Sequence, residues 1–172
     1  MNRPLIVKNG LEAVVGENPK YLILGTLPGD ESIRKQEYYS QARNRFWKII
    51  FGLFSEQSVP FSYADRIDFL KQHGIAIWDM LSKGVREGSL DSSIKNDIPN
   101  DIESFLRENP TIEVIGLNGT KAEKYVNQYF SGLLKENKPR VTTLLSSSGA
   151  NCRFSISELQ EDWGNKLGIH TL

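Results

Sequence analysis

Ten residues at 38–47, YYSQARNRFW, bring together two tyrosines, an amide, Arg43, Arg45 and two further aromatics. Phe46 and Trp47 begin the apolar face that Ile49, Ile50 and Leu53 continue, which assigns them to a helix core. Tyr38 and Tyr39 precede that helix and suit a structural or a ligand-facing role equally. Asn44 can cap the helix or act as a functional amide. Upstream, GTLPGDES at 25–32 specifies a tight turn through Gly25, Pro28 and Gly29 that brings backbone amides near a ligand. It lacks the GKS, GKT or GxGxxG of a phosphate loop, so nucleoside triphosphate hydrolysis has no support. Downstream, LLSSSGAN at 144–151 offers serine hydroxyls and amides to an anion such as a backbone phosphate, although serine-rich loops are often simply loops. Asp79 and Asp91, the latter in REGSLDSSI at 86–94, can accept hydrogen bonds from a ligand, or serve as a cap or loop ion pair. Cys152 has neither a neighbouring histidine nor a second cysteine, and His73 and His170 sit near expected element ends, so neither nucleophilic thiol chemistry nor a metal cluster is indicated.

The elements that must position these segments alternate. Short apolar runs at 21–24, 75–78, 112–117 and 141–145 predict strands buried on both faces. Stretches at about 44–53, 63–73, 100–108, 121–135 and 157–167 predict helices, several with Ser, Asn or Asp at their starts. Strands separated by crossover helices define an α/β fold with a mainly parallel sheet covered on both faces, and residues 1–172 are expected to form one domain. Ligands of such sheets bind beyond the carboxyl ends of the strands, which selects the segments starting at Gly25, Asp79, Asn118 and Ser146. Lysine plus arginine and aspartate plus glutamate both number 21, so nucleic acid cannot be gripped by bulk charge, only by a local basic face. One cysteine excludes a disulfide framework and any four-cysteine site. The N-terminal apolar run is too short for a signal-peptide core or a membrane span, and a soluble cytoplasmic protein is expected.

Taken in order, GTLPG, YYSQARNRFW, GIAIWDML with REGSLDSSI and PNDI, LNGTKA and LLSSSGAN resemble the uracil-DNA glycosylase superfamily. The resemblance is greatest to its hypoxanthine (deoxyinosine) branch, whose segments have the form GS.PG, YY..P.NRFW, GIALWD and LPSTSPAN. Each motif is weak alone; their ordered conjunction is specific. It implies a three-layer α/β/α sandwich around a central, mainly parallel four-stranded sheet. It also implies hydrolysis of the N-glycosidic bond of a flipped deaminated base, hypoxanthine before uracil, to leave an abasic site without metal or cofactor. The partner implied is DNA carrying a deaminated base, met by a monomer.

By position, the resemblance makes Asn44 the catalytic amide, an uncharged group that can orient water, and Tyr39 the stacking wall for the base. Asp79 reads the base edge, and Asn118 lines the same pocket. Gly25, Thr26, Pro28 and Gly29 surround the water and sugar. Ser146, Ser147, Ser148 and Gly149 hold the DNA, and Arg43, Arg45 and Arg153 supply local positive charge, or else are solvated surface residues. The chain departs from the family at Leu27, where the uracil and mismatch-specific branches carry aspartate or asparagine. It departs again at Gln41 and Ala42 before the asparagine and at Leu145 in the serine loop. Those departures keep open a binding module of the same fold that recognises nucleic acid without cutting it. An unrelated small-molecule α/β enzyme using the same crevice is the third reading.

Overall fold

TyrLeuIleLeu at 21–24 has no polar face because the strand it forms is covered on both sides. Tyr21 and Ile23 enter one hydrophobic cluster, whereas Leu22 and Leu24 enter another, as the two-residue period of a strand requires. The structure, a computed structural model, describes residues 7–56, 58–85 and 95–170; the segment 86–94 with Asp91 lies outside them. In chain order the elements are β1 (Val7–Asn9), β2 (Tyr21–Gly25), α1 (Asp30–Lys35), α2 (Phe46–Leu53), α3 (Tyr63–Gln72), β3 (Ile75–Asp79), β4 (Leu81–Val85), β5 (Lys95–Pro99), α4 (Ile102–Glu108), β6 (Val114–Asn118), α5 (Thr120–Tyr129), a 3-10 turn (Ser131–Lys135), β7 (Arg140–Leu144) and α6 (Ile156–Leu167).

The central sheet is four-stranded and wholly parallel, in the order β3-β2-β6-β7. Residues of α2 and α6, with Leu70 of α3, cover one face through Phe46, Ile50, Leu159 and Trp163. Ile102 and Phe105 of α4 and Ala122, Tyr125 and Val126 of α5 cover the other. The result is the three-layer α/β/α arrangement expected, with the strands at the expected places. Register brings the strand ends level: Gly25 lies opposite Asp79, and Asn118 opposite Leu144. Each strand then releases its chain into a loop at the same end of the sheet.

Three departures from the sequence reading have local causes. A second, antiparallel sheet of order β1-β4-β5 flanks the first, its strand β4 beginning two residues after Asp79. Its strands, VKN, LSKGV and KNDIP, are short and polar and carry no alternation that periodicity can detect. The helix expected over 121–135 ends at Tyr129 and continues as the 3-10 turn, in which Gly132 is a poor helix former. The short α1 follows the Gly29 turn and was not expected at all. Helix starts fared better: Asp101 caps α4 by accepting from Ser104 N–H, and Ser155 and Glu158 form a reciprocal capping box on α6. Among the described residues no helix is long and apolar enough to cross a membrane.

Candidate active site

Where the loops from β2, β3, β6 and β7 converge they enclose a cavity of about 250 Å3. Thr26, Pro28, Tyr39, Asn44, Asp79 and Asn118 line it, together with Ser146, Ser147 and Ser148, so the structure brings most of the selected residues together. Asp30, Glu31 and Ser32 of α1 also line it. Sequence reasoning stopped at Gly29 and missed them, although the acidic pair directly after a glycine turn was a usable signal. Asp30 is ion-paired with Lys8, a buried lysine on β1, which ties the small sheet to the cavity rim.

Gly25 ends β2 with its missing side chain facing the site. A Cβ there would lie 2.5 Å from Asp79 Oδ1 and 3.2 Å from Tyr39 Oη, so only glycine lets these two groups approach. Asp79 is 4% exposed at the end of β3. Tyr39 takes a left-handed backbone, φ 54°, a conformation a bulky residue adopts only when its surroundings impose it. Those surroundings are Phe46, which stacks on the Tyr39 ring with centroids 3.9 Å apart, and Asn118, whose Nδ2 donates to Tyr39 Oη at 3.3 Å. Tyr38 is different in kind: its buried hydroxyl donates to the carbonyls of Leu11 and Glu12. Burial first, then the negative charge of nearby Asp79, holds this phenol well above its usual range, so it stays neutral.

Asn44 precedes α2, and its side chain does two things at once. Oδ1 accepts from Phe46 N–H, the first amide of α2, at 2.9 Å, and from Ser147 Oγ at 2.9 Å; the N-cap position itself is Arg45. No hydrogen bond among the described residues uses Nδ2, and the residue lines the cavity. Ser147 is fully buried; its hydroxyl also accepts from Asn118 Nδ2 at 2.9 Å, and its N–H donates to Asn118 Oδ1 at 2.9 Å. Its hydroxyl therefore faces the amides of the site, not a phosphate surface. Asn118 lines the cavity as expected, with both ends of its amide engaged by Ser147 and Tyr39.

The arginines separate. Arg45, expected at a phosphate surface, turns inward: its guanidinium donates to the carbonyls of Phe154 and Asn151 and, at 3.5 Å, of Ser148. It clamps the serine loop. Arg43 and Arg153 are exposed, as a phosphate contact needs. Gly149 is required by packing, since a Cβ there would lie 2.6 Å from Arg43 Cβ and 2.9 Å from Arg43 O. Leu145, a departure from the family pattern, is braced by α6, its N–H donating to Asp162 and its carbonyl accepting from Trp163 Nε1, each at 2.8 Å. Leu27 is 5% exposed and contributes an apolar wall.

The strand-end loops of the parallel sheet thus enclose a stacked tyrosine, a buried aspartate and an asparagine anchored through its carbonyl. Residues 13–164 match the uracil DNA glycosylase superfamily, and the chain belongs to that family. A hypoxanthine DNA glycosylase of Methanosarcina acetivorans is 39% identical over 158 residues, covering 92% of this chain and 96% of the relative. One from Methanosarcina barkeri is 35% identical over 156 residues, covering 91% and 95%. Among solved structures, the solution NMR structure of a candidate uracil DNA glycosylase from Methanosarcina acetivorans superposes with a TM-score of 0.78. It is 37% identical, with coverage of 95% of this chain and 99% of that one.

Proposed function

We propose that this protein is a monofunctional DNA glycosylase that removes hypoxanthine from deoxyinosine sites and leaves an abasic site. The single observation that carries the reading is the Asn44 amide, anchored by one end and directed at a cavity whose wall is Tyr39. The hypoxanthine DNA glycosylases among its relatives support the choice of base. A base in a duplex is inaccessible to such a cavity, so the damaged nucleotide leaves the stack and its base enters against the Tyr39 ring. The C1′–N bond then breaks with its electron pair going to the base, water adds to C1′, and the proton that water loses returns to the departing base through solvent. Charge develops on sugar and base together, and preorganised groups around them lower the barrier.

Asp79 separates hypoxanthine from its parent base, adenine. A carboxylate accepts the ring N–H that hypoxanthine and uracil both carry and repels the ring nitrogen lone pair of adenine at the corresponding position. Asn44 is the catalytic amide, and Arg43 and Arg153 supply phosphate contacts. The test is single-turnover release from matched oligonucleotides containing hypoxanthine or uracil. Hypoxanthine release by wild type, lost in Asn44→Ala, is expected. Salt-sensitive DNA binding with no release of either base by folded protein would replace this reading with a binding module, the alternative that the apolar Leu27 wall favours.

A further inference from the structure

The direction of every hydrogen bond around Asn44 can be settled from two backbone amides, because a backbone N–H can only donate. Phe46 N–H lies 2.9 Å from Asn44 Oδ1, which identifies that atom as the carbonyl oxygen. Ser147 N–H lies 2.9 Å from Asn118 Oδ1, which identifies the carbonyl of the second amide in the same way. Asn118 Nδ2 is then a donor, and Ser147 Oγ must accept from it at 2.9 Å. With that acceptor position filled, the one proton of Ser147 points to Asn44 Oδ1, again at 2.9 Å. Asn44 Oδ1 thus receives two donors, one for each lone pair, and only the N–H groups of Nδ2 remain for a ligand.

We infer that Asn44 acts on its substrate as a hydrogen-bond donor, with Ser147, held by Asn118, as the positioning residue that sets this polarity. This rests on the glycosylase reading and departs from the expectation that the amide orients water. Activating water for attack needs an acceptor for a water proton, while an oxygen lone pair goes to C1′. A donor engages one of the two lone pairs and can accept no proton. The groups that gain from a fixed N–H donor are the acceptor atoms of the departing base, on which negative charge accumulates as the C1′–N bond breaks. The buried Ser147 hydroxyl has no part in phosphate binding; its work is inside the protein.

Asn44→Asp separates donor from acceptor. The variant keeps an oxygen for Phe46 and Ser147 but turns a second oxygen, not an N–H, toward the cavity. Single-turnover hypoxanthine release should fall to the level of Asn44→Ala, a loss of about 100-fold or more, the usual effect of removing one preorganised donor. The ratio of Asn44→Asp to wild-type rate should rise as pH is lowered, because the protonated acid regains an O–H donor. Asp30, Glu31 and Asp79, with Tyr38 and Tyr39, line the same cavity, and Arg43 and Arg45 flank the residue. All of these are common to both proteins, so the ratio isolates residue 44. Ser147→Ala should slow release about tenfold with the Kd for DNA unchanged, and Ser147→Thr, which keeps the hydroxyl, should recover most of the rate. Should Ser147→Ala lower Tm sharply, Asn44→Asp alone carries the test. Wild-type-like release by Asn44→Asp, or a ratio that falls with falling pH, would overturn the donor assignment while the glycosylase reading stood. Absence of release by wild type would overturn both.

Discussion

An alanine methyl at position 25 has no room: it would meet Asp79 Oδ1 at 2.5 Å and Tyr39 Oη at 3.2 Å. Gly25→Ala must therefore move the Asp79 carboxylate, the Tyr39 ring or both by a large fraction of an ångström. Displacements of about that size cost on the order of 100-fold in rate. Single-turnover release should fall by that factor, and a variant releasing base at the wild-type rate would show that the cavity does not depend on this approach. The glycine was legible in the sequence as part of a turn, but the reason for it was not, because Asp79 lies 54 positions away and meets it only through the β2–β3 register. Asn44 was legible as a choice between cap and functional amide. The structure takes a third course: Arg45 holds the N-cap position, the Asn44 carbonyl accepts from the first N–H of α2, and the residue lines the cavity. Which of Arg43 and Arg45 faces solvent depends on where the serine loop lies, a tertiary fact with no local signal in the two residues themselves.

At the scale of elements, the strands of the central sheet were readable because burial on both faces leaves an unbroken apolar run, whereas β4 and β5 pair through short segments of mixed polar and apolar residues with an irregular register. The capping box on α6 was also readable, from Ser155 followed three residues later by Glu158. Its electrostatics have a pH signature. The hydrogen bonds from Ser155, that of its backbone N–H foremost, hold the Glu158 carboxyl below its ordinary value of 4.5. A carboxyl lowered in the folded state contributes stability that is fully present above its unfolded value and lost as pH falls through the folded one. Glu158→Ala should therefore lower Tm at neutral pH, and the gap from wild type should narrow as pH is taken down to about 3. Thermal unfolding followed by circular dichroism at both pH values checks this; a gap independent of pH would remove the charged carboxylate from the account of the helix.

For the whole molecule, equal numbers of acidic and basic residues, 21 of each, mean that no long-range field draws the protein to DNA. Affinity has to come from a few placed cations, and each phosphate neutralised adds nearly one unit to the slope of log affinity against log salt. The structure divides the candidates. Arg43 and Arg153 are exposed, whereas the guanidinium of Arg45 is engaged by carbonyls of the serine loop. Arg43→Ala and Arg153→Ala should each flatten the salt slope by about one unit with Tm unchanged. Arg45→Ala should leave the slope as it is and destabilise the fold by about 2 kcal/mol, since hydrogen bonds from a charged donor are each worth about that much and several carbonyls lose theirs. Titrations of a hypoxanthine-containing duplex at a series of salt concentrations, with melting curves on the same preparations, measure both quantities. A flattened slope with unchanged Tm in Arg45→Ala would put that side chain on the DNA, and the clamp on the serine loop would have to be sought elsewhere.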